Sequence, residues 1–292
     1  MGVKRQGFGA CSGQALQVSA YAAHHTAVKV PKRFLRYHSA MKDFVTARKK
    51  VEERLVRACQ VAGRDRATVT MIAVSKTRSS EDIRALHALG QQHFAENYVQ
   101  EFVSKHDCLA EDPTLSSITW HFIGALQANK TRPIAERAAW VHTIDRLKIA
   151  ERLSRQRPDL LPPLQVCLEV DLSLEPGKAG VAESQLLALA EAVVHLPRLQ
   201  LRGLMAIPAP AVGLEAQRVP FARLRQWLER LNELGFGLDT LSMGMSDDFE
   251  AAILEGATLV RVGTALFGAR GGLSGAAEGP LAAASAYLPP AG

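Results

Sequence analysis

The spacing of apolar and polar positions changes character in a regular way along the chain. Over residues 43–62 the apolar side chains Phe44, Val45, Val51, Leu55, Val56 and Cys59 recur at the interval of one helical face, and Gly63 ends the pattern. The stretch 68–77, Thr-Val-Thr-Met-Ile-Ala-Val-Ser-Lys-Thr, is instead a run of β-branched and apolar residues, the pattern of a buried strand. From there the two patterns alternate. Ser80 is expected to cap a helix through Leu89, with Gly90 at its end. Strands are expected over 93–97, 118–123, 140–143, 164–170, 201–207, 238–242 and 258–262. Between them, helices are expected over 99–109, 128–137, 183–195, 221–234 and 247–255, and one from a cap at Asp145 to just before Pro158. This order predicts an α/β fold, a single closed (β/α)8 barrel of the TIM type. An open, doubly wound sheet is the alternative, but no Gly-x-Gly-x-x-Gly follows the first strand.

Composition narrows the function classes. The chain has 292 residues, 47% hydrophobic and 22% charged, enough for one large soluble domain. No apolar run reaches the roughly 18 residues that a membrane helix needs. Its four cysteines, at 11, 59, 108 and 167, make no C-x-x-C pair, which argues against zinc or a disulfide framework and fits a reducing, cytoplasmic setting. The net charge of +6 has a local origin: residues 1–40 hold Lys4, Arg5, Lys29, Lys32, Arg33 and Arg36 and no acid. Removing those six from the 35 basic residues leaves 29, which match the 29 acidic ones, so the body carries no footprint for nucleic acid. Residues 1–40 are expected to be a largely disordered extension, read as an alternative or non-native start in preference to an organellar targeting segment. The Gly-, Ala-, Ser- and Pro-rich tail 271–292 is also expected to be disordered, leaving 41–270 as the barrel.

In a barrel the segments after each strand gather at one face. Here those exits are Lys76, Asn97, His121, Asp145, Asp171, Ala206, Ser242 and Arg261. Lys76, just past the first strand, either marks where the strand meets water or is an amine that partial burial activates for a Schiff base. After strands seven and eight, 241–248 (Leu-Ser-Met-Gly-Met-Ser-Asp-Asp) and 261–265 (Arg-Val-Gly-Thr-Ala) bring small and hydroxyl residues to helix starts, where backbone N–H groups can approach a phosphate. A strand-one lysine facing a phosphate cradle on strands seven and eight suits pyridoxal 5′-phosphate. Plainer roles stand beside these. Ser246 is equally readable as a helix cap, Gly263 as a packing glycine, and Asp247 and Asp248 as first-turn charges. His121 reads as a structural histidine, and Lys178 as a solvated loop residue or part of a lid over 171–180.

Several blocks together carry a resemblance. They are 73–77 (Ala-Val-Ser-Lys-Thr), 95–101 (Ala-Glu-Asn-Tyr-Val-Gln-Glu), 120–124 (Trp-His-Phe-Ile-Gly), 126–130 (Leu-Gln-Ala-Asn-Lys), 202–205 (Arg-Gly-Leu-Met), 241–248 and 260–267. In this order, over about 41–270, the chain resembles the pyridoxal phosphate homeostasis proteins, also called proline synthase co-transcribed homologues. Gly124-Ala125-Leu126-Gln127 departs mildly from that family's usual Gly-Pro-Leu-Gln. The resemblance implies a barrel like the alanine racemase N-terminal domain, with Lys76 carrying the cofactor as an internal aldimine. It implies that Ser242, Gly263 and Thr264 hold the phosphate, that Arg261 faces the pyridine nitrogen and that Asn97 lies near the ring. It also implies a protein that binds the cofactor without a known catalytic turnover, and the leading expectation is a carrier without strong catalytic activity that acts in vitamin B6 homeostasis and delivers pyridoxal phosphate to apo-enzymes. An arginine at the ring nitrogen disfavours ring protonation, and the tyrosine of the racemase's second domain has no expected counterpart, Tyr287 in the tail being a poor substitute. A slow amino-acid racemase or lyase is the alternative, a sugar-phosphate barrel enzyme a third possibility, and a monomer the expected state.

Overall fold

A computed structural model of the protein describes residues 32–172 and 179–268. The chain divides at Ser39 into a first unit, Met1–His38, and a second, Ser39–Gly292. The second unit is a barrel. Strands β1 (Thr70–Val74), β2 (His93–Glu96), β3 (Thr119–Phe122), β4 (Trp140–Ile144) and β5 (Leu164–Asp171) run parallel in sequence order. A two-residue strand β6 (Val181–Ala182) pairs with the end of β5, and β7 (Leu199–Met205), β8 (Thr240–Met245) and β9 (Leu259–Val262) continue the wall. Pairing of β9 with β1, Ile72 opposite Arg261, closes eight parallel strands into a ring. The expected barrel is therefore the observed fold, and every expected strand lies within a few residues of its place.

The surrounding helices are α1 (Lys32–Val61), α2 (Ser80–Ala88), α3 (Val99–Ala110), α4 (Thr131–Ala135), α5 (Leu147–Gln156), α6 (Glu183–Val194), α7 (Leu214–Glu233), α8 (Phe249–Leu254) and α9 (Thr264–Phe267). Four local expectations change. α1 begins at Lys32, not at residue 43, so the segment 32–40 is helical; residues 1–31 and the tail from 269 lie outside the described residues, as does Lys178. Val45 is half exposed, because the buried stripe of α1 is narrower than the sequence implied: Phe44, Val51, Leu55 and Cys59. Ser79, not Ser80, caps α2, in a reciprocal box with Asp82. Asp145 is not the cap of α5; Arg146 holds that position with no side-chain cap bond, and the two residues form an ion pair.

Strand alternation sorts side chains between two compartments. Outward-facing residues such as Met71, Ala73 and Phe94 pack under the helices in one large core. Inward-facing Ile72, Val74, Ala95, Ile123 and Leu259 form a small separate cluster. Polar groups share the barrel interior: His121, His142, Ser242 and Arg261 are all fully or nearly fully buried and linked by hydrogen bonds. Gly203 on β7 permits the close approach of β8, since a Cβ there would sit 1.8 Å from Thr240 O. Among the described residues no helix is long and apolar enough to cross a membrane, and no group of three His, Cys, Asp or Glu is placed to hold a metal.

Candidate functional site

The C-terminal ends of β1, β2, β8 and β9 open into a cavity of about 230 Å³. A larger hollow, about 590 Å³, runs along the outside of α1, but it gathers that helix's side chains and Leu89, and no strand end contributes to it. Lys76, Asn97, Arg261, Gly263 and Thr264 line the strand-end cavity. Ser242, expected beside them, does not. It is fully buried below the cavity, and its hydroxyl and carbonyl oxygens both accept hydrogen bonds from Arg261. Ser242 lies three residues before the end of β8, whereas Ser246, just past that end, lines the cavity.

Lys76 rides on a turn pinned from below. Thr77 has φ +63°, a left-handed conformation disfavoured for a β-branched residue. Its N–H donates to Glu101 Oε1 at 2.6 Å, and Arg78 N–H closes the turn on Ser75 O. Beneath the turn, buried Lys105 donates to Ser75 O (2.7 Å), Glu96 Oε1 (2.8 Å) and Glu101 Oε1 (2.8 Å). Ser75 Oγ also donates to Glu96 Oε1. Burial pushes the Glu96 carboxyl above its ordinary value, with Lys105 opposing. The sequence reading missed this cluster, although Glu101 and Lys105 stand four apart on α3.

Opposite Lys76, Arg261 is held rigidly. Nη1 donates to Ser242 O (2.6 Å) and Oγ (2.8 Å), and Nη2 to Ala206 O (3.0 Å). Burial lowers its pKa to about 10, with Asp248 and Glu169 opposing, so the guanidinium is still charged at neutral pH. Glu169, buried on β5, is pushed up to about 7 by burial and by Asp145, while Arg261 acts the other way. Its folded pKa lies above the unfolded one, so its contribution to stability is present at acid pH and is lost as pH rises from about 4.5 through 7. Glu169→Gln is therefore expected to gain stability at pH 8 relative to the parent, by up to about 3 kcal/mol, and to gain little at pH 4.5. Urea midpoints at the two pH values check this; an equal effect at both would assign the change to packing.

The third wall is built after β8 and β9. The amides of Gly263 and Ala265 both point at Ser246 Oγ, at 3.3 and 3.4 Å, and Ser246 and Thr264 line the cavity. Ser246 is not a helix cap: α8 begins at Phe249, and Asp248 occupies the cap position with its carboxylate turned back to accept from Met245 N–H. Asp247 and Asp248 thus precede the helix and are not first-turn charges. Arg54 of α1 secures the loop, donating to Ser246 O (2.9 Å) and to both oxygens of Glu250. Arg78 ties the Lys76 turn to the end of α9 by donating to Gly268 O.

Asn97 closes the cavity beside β2. Its Oδ1 is buried and has no hydrogen-bond partner, an arrangement that costs free energy unless a ligand or solvent supplies a donor. Gly124 sets its position, since a Cβ at 124 would lie 1.9 Å from Asn97 O. Gly124→Ala is expected to push apart the exits of β2 and β3 at a cost of about 1–3 kcal/mol. Gly263→Ala is the control, because its Cβ would meet only Val74 at an ordinary 3.5 Å. Thermal denaturation of both variants tests the contrast; equal melting would show that the β2 exit yields freely. His121, Asp145 and Asp171, also read as strand exits, do not line this cavity: His121 lies inside the barrel, hydrogen-bonded to His93 and His142.

The chain is similar to known proteins. The alanine racemase N-terminal domain family matches residues 48–271. The chain is 60% identical over 221 residues to the pyridoxal phosphate homeostasis protein of Pseudomonas aeruginosa, covering 76% of this chain and 93% of that one. Among solved structures it is similar to an unknown protein from Bifidobacterium adolescentis, with TM-score 0.73 and 30% identity, covering 78% of this chain and 96% of that one. It is also similar to PipY of Synechococcus elongatus with PLP bound, with TM-score 0.64 and 37% identity, covering 75% and 100% of the two chains.

Proposed function

The chain belongs to the pyridoxal phosphate homeostasis protein family, built on the alanine racemase N-terminal barrel, and from that premise we propose that it is a carrier that holds pyridoxal 5′-phosphate covalently through Lys76. The observation that carries this reading is the convergence on one cavity of a lysine amine, a buried arginine and a hydroxyl–amide cradle from separate strand ends. When bound, the group supplies an aldehyde that joins an amine reversibly and a ring that can take up electrons. The residues present fit it. Lys76 Nζ is the amine, and Ser246 Oγ with the backbone at Gly263 and Thr264 receives the phosphate, Ser246 replacing the Ser242 of the sequence reading. Asn97, whose Oδ1 lacks a donor, meets a polar group of the ring.

Arg261 is assigned to the ring nitrogen. Its position is fixed by three buried hydrogen bonds, and a cation held there at neutral pH disfavours ring protonation. The ring is then a poor electron sink, which favours holding the cofactor over turning over a substrate. In this reading the protein limits free aldehyde in the cytoplasm and passes the cofactor to apo-enzymes as a monomer. Three described cysteines, Cys59, Cys108 and Cys167, are free, in keeping with a reducing compartment.

The match to the alanine racemase N-terminal domain family favours one rival, a slow racemase or lyase. Incubation of the loaded protein with L-alanine or L-serine in deuterated water separates the two. A carrier leaves Cα protium in place on the timescale of enzyme turnover. Deuterium entering at about 1 s⁻¹ or faster, the low end of ordinary catalysis, would overturn the carrier reading.

A further inference from the structure

Beneath Arg261 a line of hydrogen bonds crosses the barrel interior. Arg261 Nη1 donates to Ser242 Oγ (2.8 Å), which is 2.7 Å from His142 Nδ1. His142 Nε2 is 2.9 Å from His121 Nδ1, and His121 Nε2 is 3.0 Å from His93 Nδ1. His121 and His142 are fully buried. His93, half-buried, reaches a second cavity of about 280 Å³ at the opposite end of the barrel, where the strands begin. Five residues on five strands therefore join the barrel floor to the candidate site.

The bond order has a direction. Ser242 Oγ accepts from Arg261, which has no acceptor capacity, and the arrangement that leaves no group in the line unsatisfied has the serine O–H donating to His142 Nδ1. His142 then carries its hydrogen on Nε2 and donates to His121 Nδ1. His121 likewise donates from Nε2 to His93 Nδ1, leaving the His93 Nε2–H directed to the floor. All three rings are neutral in this arrangement. Burial lowers the pKa of each, and His142, next to Arg261, falls to about 3.

A protonated His93 breaks this order. It carries a hydrogen on both nitrogens, so Nδ1 must donate to His121 Nε2. His121 and His142 must then each hold their hydrogen on Nδ1, and Ser242 Oγ receives from His142 as well as from Arg261. The line gains one proton in all, at the floor end. Other groups meet it from each side. Arg202, ion-paired with Asp239, lines the floor cavity, and Glu169, Asp248 and Cys167 surround Arg261. An apolar interior was available, as Ile72, Val74, Ala95, Ile123 and Leu259 fill the neighbouring wall. Three imidazoles in its place incur a desolvation penalty that only a fully satisfied line offsets.

We propose that His93, His121, His142 and Ser242 are positioning residues that relay protonation at the barrel floor to Arg261, and through it, on the cofactor reading above, to the bound ring. The histidine ¹⁵N spectrum of the full chain, with arginine side chains also labelled, tests this without cofactor. At neutral pH all three rings should be in the Nε2–H form. On acidification His121 and His142 should pass to the Nδ1–H form at one midpoint shared with His93, and the Arg261 guanidinium signals should move with them. His93→Gln, a polar replacement at a half-buried site, should abolish that transition in the other two rings. In the loaded protein the visible band should shift at the same midpoint.

Three outcomes would overturn the relay: opposed or mixed forms at neutral pH, separate midpoints for the three rings, or an unmoved Arg261. Loss of the band shift with the apo-protein switch intact would overturn its extension to the ring. Failure of the cofactor reading itself would appear differently, as no covalent adduct in the parent protein at any pH.

Discussion

Lys76→Ala is expected to abolish covalent attachment of pyridoxal phosphate while leaving the barrel folded. In the proposed reading its amine is the group that bonds the aldehyde, and among the described residues no other lysine lines the cavity. The turn that carries it is fixed through backbone groups, by Glu101 at the Thr77 amide and by Lys105 at Ser75 O, so it does not depend on the Lys76 side chain. The stability change should stay within about 0.5 kcal/mol, as for substitutions away from the core. The cradle at Ser246, Gly263 and Thr264 is untouched, so weak, reversible binding should survive. Borohydride treatment of the variant with excess cofactor should leave its mass unchanged. An adduct of the parental mass would show that another amine takes the aldehyde.

Lys105→Met should have the largest effect on stability. It removes the partner of a carboxylate that is wholly inaccessible, and loss of one member of a buried pair costs about 3–5 kcal/mol. Ser75 O and Glu101 lose their donor at the same time, which loosens the turn beneath Lys76. The sign with pH follows from Glu96. Its folded pKa is already raised, and removing Lys105 takes away the largest opposing influence. A carboxyl that binds its proton more tightly when folded favours the fold at low pH and opposes it as pH rises past the unfolded value. The deficit should thus be greatest near pH 8 and shrink toward pH 5. Urea unfolding at both values checks it; a pH-independent deficit would mean that lost packing, not the stranded carboxylate, is the cause.

The barrel was legible because strand and helix periods differ and each exit carries its own punctuation. Runs such as 68–77 and 164–170 are rich in apolar and β-branched residues, as suits strands buried beneath helices. Lys76, Asn97, Arg261, Gly263 and Thr264 were legible as a set because the fold brings strand ends together. Ser242 was misread for a reason internal to β8. The strand continues to Met245, three residues past Ser242, so the mouth falls at Ser246. Two hydroxyls four apart look alike in sequence, and the strand's end decides between them.

The buried Lys105 and the histidine line were not legible. His93, His121 and His142 are 28 and 21 residues apart, and only the register of adjacent strands brings their rings within hydrogen-bonding distance. His121, flanked by Trp120 and Phe122, gave the right sense of a structural histidine but no sign of its partners. Lys105 falls on the buried face of α3 between Phe102 and Leu109, and only the fold shows that Glu96 and Ser75 lie there to receive its charge.

The central claim is a reversible carbon–nitrogen bond at one amine, and peptide mass spectrometry of the borohydride-reduced, cofactor-loaded protein tests it most directly. The expected result is a single pyridoxyl phosphate adduct on Lys76. An adduct on a different lysine, or an unmodified chain after exposure to excess pyridoxal phosphate, would contradict it.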